Sequence, residues 1–463
     1  MLSFWDFVEM AEKGKIMGEK DFDSLLSKTL RELEQKYEIK YNPENPVSSD
    51  DNLSDRLFDA AVEFFEKVGV YVIDTGRQVT LSKDDLYSIL ESAPSEVVYG
   101  SGNETVRVSH RKVEDEVPPV VFFSAVGTPV REELFVELCM SYAKEQLADT
   151  FSGPLITEYR GRPIASGSPV EVEAAIWNVM KLREAARFSG RPYMPIHNFI
   201  SVAEKTDATI AGAREEFGAF PGDGLFTAAI AEMKVDYERL KRTTFLMHTP
   251  YVRGGLYGPL LGGYAGGPGG TAIALVAHHF LGLCFFQAQR HNAFPIHINY
   301  VCNTDRMLLW LLSVSGQALA RNTHLVTASN AFMASGPCTE MVIYELAAHS
   351  ITSTVSGWHL NPAAVARNRH PEHATGMEAR IHAEVGHATA GSGITRQEAN
   401  FIVDKLLEKY ENRLSKPPIG KSFTECYDIK RIKPKDDYLK LWDEKKKELE
   451  TLGLSFRNIP HRS

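Results

Sequence analysis

Arg253-Gly-Gly-Leu-Tyr-Gly-Pro-Leu-Leu-Gly-Gly-Tyr-Ala-Gly-Gly-Pro-Gly-Gly270 runs directly into the apolar segment Thr271 to Phe286. Glycine costs backbone entropy in a regular element and gives no side chain to pack, so a stretch this rich in it reads as a loop. Exposed linkers seldom interleave Tyr257, Leu260, Leu261 and Tyr264 with their glycines. The reading is therefore of a working loop whose backbone approaches a bound molecule. The segment behind it reads as a helix too short to span a bilayer, followed at once by Gln287, Gln289, Arg290 and His291.

Outward from that loop the chain alternates short apolar runs with longer amphipathic ones. Upstream, strands are predicted at Pro118 to Ser124, Thr150 to Thr157, Tyr193 to Ile200 and Thr243 to His248. Helices are predicted at Glu132 to Lys144, Pro169 to Phe188 and Leu225 to Arg242. Downstream, strands at Phe294 to Tyr300 and His324 to Ser329 flank a helix at Asp305 to Ala320, and helices follow at Thr375 to Gly391, Thr395 to Tyr410 and Asp436 to Leu449. Such alternation means parallel strands joined by helical crossovers. The number of units favours an α/β fold of the closed (β/α)8 TIM-barrel type over a doubly wound sheet. Residues 1–115 read as an N-terminal, mostly helical support region, and 116–463 as the barrel with a C-terminal helical extension.

The 463 residues carry a formal net charge of -9 and a pI near 6.0, which offers no broad basic surface for nucleic acid. Five scattered cysteines without a C-x-x-C pair argue against a disulfide framework and a structural zinc module. With no signal-peptide pattern and no span, the expectation is a cytoplasmic protein without a membrane partner.

In a parallel barrel the working residues lie where strands end. That rule selects His197, His248, His297 and Asn330. A histidine there can act as acid or base, hydrogen-bond to substrate or ligate metal. No H-E-x-x-H helix accompanies them, and the glycine-rich stretch matches neither a P-loop nor a dinucleotide fingerprint. No metal and no tightly bound cofactor are expected. Asn330, Phe332 and Glu340 could wall one side of a pocket.

Several segments together carry a family resemblance. Gly262-Gly-Tyr-Ala-Gly-Gly267, Gly336-Pro-Cys-Thr-Glu-Met341, Thr375-Gly-Met-Glu-Ala-Arg380 with Ala388-Thr-Ala-Gly391, and Gly420-Lys-Ser-Phe-Thr-Glu-Cys-Tyr-Asp428 resemble the monomethylamine:corrinoid methyltransferases of methylotrophic methanogens. So do His248, His291 and His297 in their settings. The similarity runs from about residue 55 to the C-terminus. It implies a TIM barrel, a homo-oligomer of hexameric type, and transfer of a methyl group to the Co(I) corrinoid (cobalamin) of a cognate corrinoid protein.

The resemblance also marks a departure. Family members carry pyrrolysine on a barrel strand after a Gly-Arg-Pro segment, and Gly190-Arg-Pro-Tyr-Met-Pro-Ile-His197 places His197 there. The family's pyrrolysine is contacted by a glutamate, a glutamine and a tyrosine, where this chain has Leu256, Asn330 and Phe332. Imidazole has no electrophilic carbon to add an amine. The resemblance thus implies a rebuilt pocket for a small methylated compound, a methylated or quaternary amine. His197 is the catalytic candidate, and Leu256, Tyr264, Asn330, Phe332, His248 and His297 are candidates for substrate binding. Phe332, Tyr264, Tyr257, Phe199 and Tyr300 offer aromatic faces to a cation. Two other readings stand beside this one. The first is a zinc-dependent methyltransferase or hydrolase using His197, His248 and His297, and the second is a non-catalytic ligand-binding homologue.

Overall fold

A computed structural model describes residues 2–125, 127–457 and Ile459. Eight parallel strands form the central sheet: β1 Phe122–Phe123, β2 Thr150–Ser152, β3 Ile196–Asn198, β4 Gly224–Ala228, β5 Val252–Tyr257, β6 Arg290–Ala293, β7 Val326–Phe332 and β8 His359–Ala364. Neighbours in sequence pair in space, in parallel register, from β1 through β3 and from β4 through β8. Two seams complete the ring. Phe199 N donates to Gly224 O at 3.2 Å between β3 and β4, and Val121 bridges Leu360 in parallel between β8 and β1. A helix follows each strand, the eighth being Gly376–Gly391. The closed (β/α)8 expectation holds.

Glycine misleads at the stretch that decides the fold. Val252 to Tyr257 is not loop but strand β5. A Cβ at Gly254 would collide with the Phe226 ring, and one at Gly255 with the Tyr257 hydroxyl. These glycines make room for aromatic rings on either side of the sheet. Gly269 and Gly270 likewise lie in the first turn of helix Pro268–Phe285, pressed against Ile39 O and Ala265 O. Only the middle, around Gly262 (φ +91°) and Gly266 (φ +76°), is a turn that needs glycine's left-handed freedom.

Three further expectations are corrected. Leu225 to Arg242 is not one helix: it holds β4, a loop, and the start of helix Tyr237–Met247. Thr243 to His248 is the end of that helix rather than a strand. The strand expected at Phe294 to Tyr300 ends at Ala293, leaving only a short pairing of Ile296–His297 with Leu260–Leu261.

Helix Pro268–Phe285 is the one described helix long and apolar enough to cross a membrane, and 94% of it is buried. It lies between the sheet and the N-terminal helices, where Phe58 and Phe65 meet Phe280 edge-on at 5.7 and 5.8 Å. The hairpin Glu96–Tyr99/Val106–Ser109 plugs the strand-start end with Val97, Tyr99, Val106 and Val108 against Phe122, Val252 and Val326. Helix Glu19–Lys36 reaches the opposite rim, where Ser27 Oγ donates to Tyr264 O at 2.8 Å. The region before the barrel thus closes the floor and buttresses the mouth.

Behind β5 the Tyr257 hydroxyl lies 2.9 Å from His291 Nδ1, in the space that a Cβ at Gly282 would enter. Gly282→Ala is expected to lose about 1–3 kcal/mol to overpacking, more than the roughly 1 kcal/mol gained in helix propensity. Urea unfolding checks this. The double change with Tyr257→Phe should recover part of the loss, since the two sites contact.

Candidate active site

Strand alternation sets which side chains meet on the barrel axis. On β7, Val326 and Ala328 line the floor, Ser329 turns outward to Ser353 at 2.8 Å, and Asn330 follows inward. On β6, Arg290 and Asn292 point inward while His291 meets Tyr257 behind the sheet. On β3, Ile196 packs outward and His197 inward.

His197 is fully buried between Phe122 (ring centroids 5.5 Å apart) and Phe226 (6.2 Å). Its Nδ1 lies 2.8 Å from Thr150 Oγ1, while its Nε2 has no partner. Burial, reinforced by the neighbouring Arg290 guanidinium, pushes its pKa well below the ordinary histidine value. The ring is neutral at physiological pH, with one nitrogen left open to a hydrogen bond.

Toward the mouth the lining turns to amides. Asn361 Nδ2 donates to Asn330 Oδ1 at 2.9 Å, and Asn303 Nδ2 donates to Asn330 O at 2.7 Å. Leu256 stands in register with Asn292 across β5 and β6. Higher still, Phe294 and Phe332 stack with centroids 6.0 Å apart. His297, buried beside Leu261, accepts from Asn299 N at 3.1 Å and packs on Tyr300 at 4.5 Å. Tyr264 is 55% exposed on the glycine-rich rim.

The structure brings His197, Leu256, Asn330 and Phe332 to the inside of one barrel and sets His297 and Tyr264 at its rim. It does not bring His248 with them: that residue is exposed, capping helix Tyr237–Met247 at the strand-start end. A three-histidine centre from His197, His248 and His297 is therefore not assembled. Among the described residues no group of three or more His, Cys, Asp or Glu is placed to hold a metal ion. Tyr257 and Phe199 also leave the aromatic set, since they point away from the axis toward helix Pro268–Phe285 and Tyr251.

Sequence reasoning missed four polar side chains: Thr150, Arg290, Asn292 and Asn361. It also missed Glu232, whose Oε1 accepts from Leu260 N at 2.9 Å under the glycine-rich rim and whose pKa burial pushes up to about 7. An inward period-2 pattern on β6 could have flagged Arg290 and Asn292, had that strand been placed over Arg290–Ala293.

A family model described as monomethylamine methyltransferase MtmB matches residues 2–454. This chain belongs to the monomethylamine methyltransferase family. The match takes in the N-terminal region, beyond the similarity read from about residue 55. MtmB3 of Methanosarcina barkeri, MtmB1 of Methanosarcina acetivorans and MtmB of Methanosarcina mazei are each 32% identical over 457 residues, covering 98% of both chains. The crystal structure of the M. barkeri monomethylamine methyltransferase superposes with a TM-score of 0.93 at 31% identity, again over 98% of both chains. A hydroxylamine complex of MtmB matches equally. The protein is thus a methyltransferase-family TIM barrel along nearly its whole length.

Proposed function

We propose that this enzyme moves a methyl group from a small methylated or quaternary amine to the Co(I) corrinoid of a partner protein, without pyrrolysine. The observation that carries the reading is His197: an inward, neutral imidazole with a free Nε2, at the position where the family resemblance sets pyrrolysine. Such a ring forms no adduct with an amine, so the donor itself must be activated. The methyl departs as a cation equivalent bound by the cobalt's electron pair, and the N–C bonding pair stays on nitrogen. A quaternary ammonium therefore leaves as a neutral tertiary amine, whereas an unprotonated primary amine would leave as a poor anion.

The chain's own residues suit that donor. The paired rings of Phe294 and Phe332 present faces to an ammonium cation. Leu256 keeps the wall apolar beside the ammonium, and His197 Nε2 is open to a hydrogen bond with a polar substituent of the donor. The rim is low: a Cβ at Gly266 or Gly267 would meet nothing within 4 Å, which suits the approach of a broad macrocycle. The same reading carries a cytoplasmic homo-oligomer of hexameric type, which sedimentation would test.

Incubating the protein with Co(I) cobalamin and a panel of methylated amines is expected to yield methylcobalamin, seen by its absorbance, from a quaternary donor and not from monomethylamine. No product from any quaternary donor, with an active family enzyme run in parallel, sinks the reading.

A further inference from the structure

Among the described residues, the cation on the floor of the site has no counter-ion. Arg290 is fully buried, its guanidinium 3.4 Å from the Phe122 ring centroid and 4.9 Å from that of Phe226. It donates through Nη2 and Nε to Asn292 Oδ1 (2.8 and 3.1 Å) and through Nη1 to the Tyr99 hydroxyl (3.3 Å). All are neutral acceptors. Among the described residues no carboxylate pairs with it; burial lowers its pKa and the Tyr99 hydroxyl opposes that. Of the other two buried guanidiniums, Arg183 has a carboxylate at 2.7 Å in Asp223, and Arg111 donates to the Val117 and Asp115 carbonyls with the Asp115 charge nearby. A buried charge without compensation is costly, and where it persists a ligand that supplies the opposite charge accounts for it.

The neighbours of Arg290 say which ligand group fits. A guanidinium only donates, so the Asn292 amide must turn Oδ1 toward it. That leaves Asn292 Nδ2 as a buried donor with no partner. His197 shares Phe122 and Phe226 with Arg290, and its Nε2 is equally unpartnered. In the tautomer where Thr150 donates to Nδ1, Nε2 carries the proton. Two free donors and one uncompensated cation thus gather on the axis, a set that asks for a group with two acceptor oxygens and a negative charge. Toward the mouth the lining passes the Asn330–Asn361 amide pair and Leu256 and ends at Phe294 and Phe332, whose rings suit the opposite end of the ligand.

We propose that the methyl donor is a zwitterion of the N-methylated amino-acid class. Its carboxylate sits over Arg290 and accepts hydrogen bonds from Asn292 Nδ2 and His197 Nε2, and its methylated ammonium faces Phe332 and the open mouth. The ammonium end rests on the methyl-transfer reading above, whereas the carboxylate end rests on Arg290 and its neighbours. The carboxylate takes no part in bond making: the transferred methyl and the electron pair left on nitrogen are those already described.

The test separates the two ends. Calorimetric titration of the intact protein with N,N,N-trimethylglycine, choline and tetramethylammonium compares donors that share the ammonium and differ in the carboxylate. Trimethylglycine is expected to bind about ten- to a hundredfold more tightly than the other two, the weight of one or more charge-assisted hydrogen bonds. Arg290→Met should reduce that ratio to about one while its thermal midpoint holds or rises, because an unpaired buried charge has been removed. Choline or tetramethylammonium binding as tightly as trimethylglycine overturns the proposal, as does no binding of trimethylglycine at millimolar concentration. The wild-type series decides even if the variant does not fold. Carboxylate-selective binding with no methyl transfer from any donor supports this inference and removes the transfer reading. Transfer from tetramethylammonium without selectivity does the reverse.

Discussion

Asp223→Ala is expected to lower the unfolding free energy by about 3–5 kcal/mol and to loosen the strand that carries His197. Asp223 and Arg183 are both buried, with Arg183 Nη2 2.7 Å from Asp223 Oδ2. Asp223 also accepts from Ile196 N at 2.8 Å and from Phe220 N at 2.7 Å. Arg183 in turn donates to Gly218 O and Met194 O at 2.8 and 2.9 Å, and its guanidinium stacks 4.2 Å from the Phe220 ring centroid. The pair therefore ties helix Pro169–Phe188 to both ends of the turn that feeds β3 and β4. Removing the carboxylate leaves a guanidinium buried without its charge partner and frees the backbone of Ile196, one residue before His197. Asp223→Asn keeps an acceptor for Ile196 N and should fall between alanine and wild type. Urea unfolding of the three proteins measures this. A loss under about 1 kcal/mol for alanine would mean that the pair is no more than a surface-grade ion pair.

The contrast between Arg183 and Arg290 separates what is legible in sequence from what is not. Neither arginine belongs to a motif. In space one has a carboxylate and the other has only rings and an amide, and no local pattern reports that difference. Helix-forming segments such as Asp305 to Ala320 and Thr395 to Tyr410 were legible because their caps and periodicity are local: Asp305 accepts from Met307 N and Leu308 N, and Thr395 with Glu398 forms a capping box. Strand β5 was not legible, because its glycines answer to Phe226 on one face and Tyr257 on the other. His197 and Asn330 were found as strand-end residues and Phe332 as a pocket wall, and the family pattern added Leu256 to them. Asn292 and Asn361 needed the register of β6, β7 and β8. His248 was misplaced because a helix end, Thr243 to Met247, was read as a strand, which put its last residue at the wrong end of the barrel.

Lowering the pH from 7 to 5.5 is expected to destabilise the fold, each ring that stays neutral costing up to about 1.4 kcal/mol per unit and the buried acids returning part of it. Burial lowers the pKa of His279, His349 and His359 to about 3 and of His278 and His387 to about 4, from an ordinary 6.5. It holds His197, His291 and His382 well below that value too. For a group whose folded pKa is depressed, the unfolded chain binds the proton first. The stabilisation from these neutral rings is therefore whole above pH 6.5 and is lost as pH falls below it, at about 1.4 kcal/mol per ring per unit. Buried acids oppose this. Glu232, Asp305 and Glu378 have pKa values raised to about 7, so they gain stability as pH falls from 7 toward the unfolded carboxylate range. Burial raises the pKa of Glu34, Glu145, Asp223 and Glu345 as well, so the acids return part of what the rings lose. Packing explains why the histidines cannot simply charge in place. His349 and His382 face each other with ring nitrogens 3.0 Å apart, and the rings of His279 and His291 stack 5.7 Å apart, so a second proton in either pair meets like charge in a dry interior. Urea unfolding at pH 8, 7, 6 and 5.5 gives the slope, and circular dichroism gives the acid midpoint. A fold intact at pH 4 would show that the neutral rings do not set the acid limit.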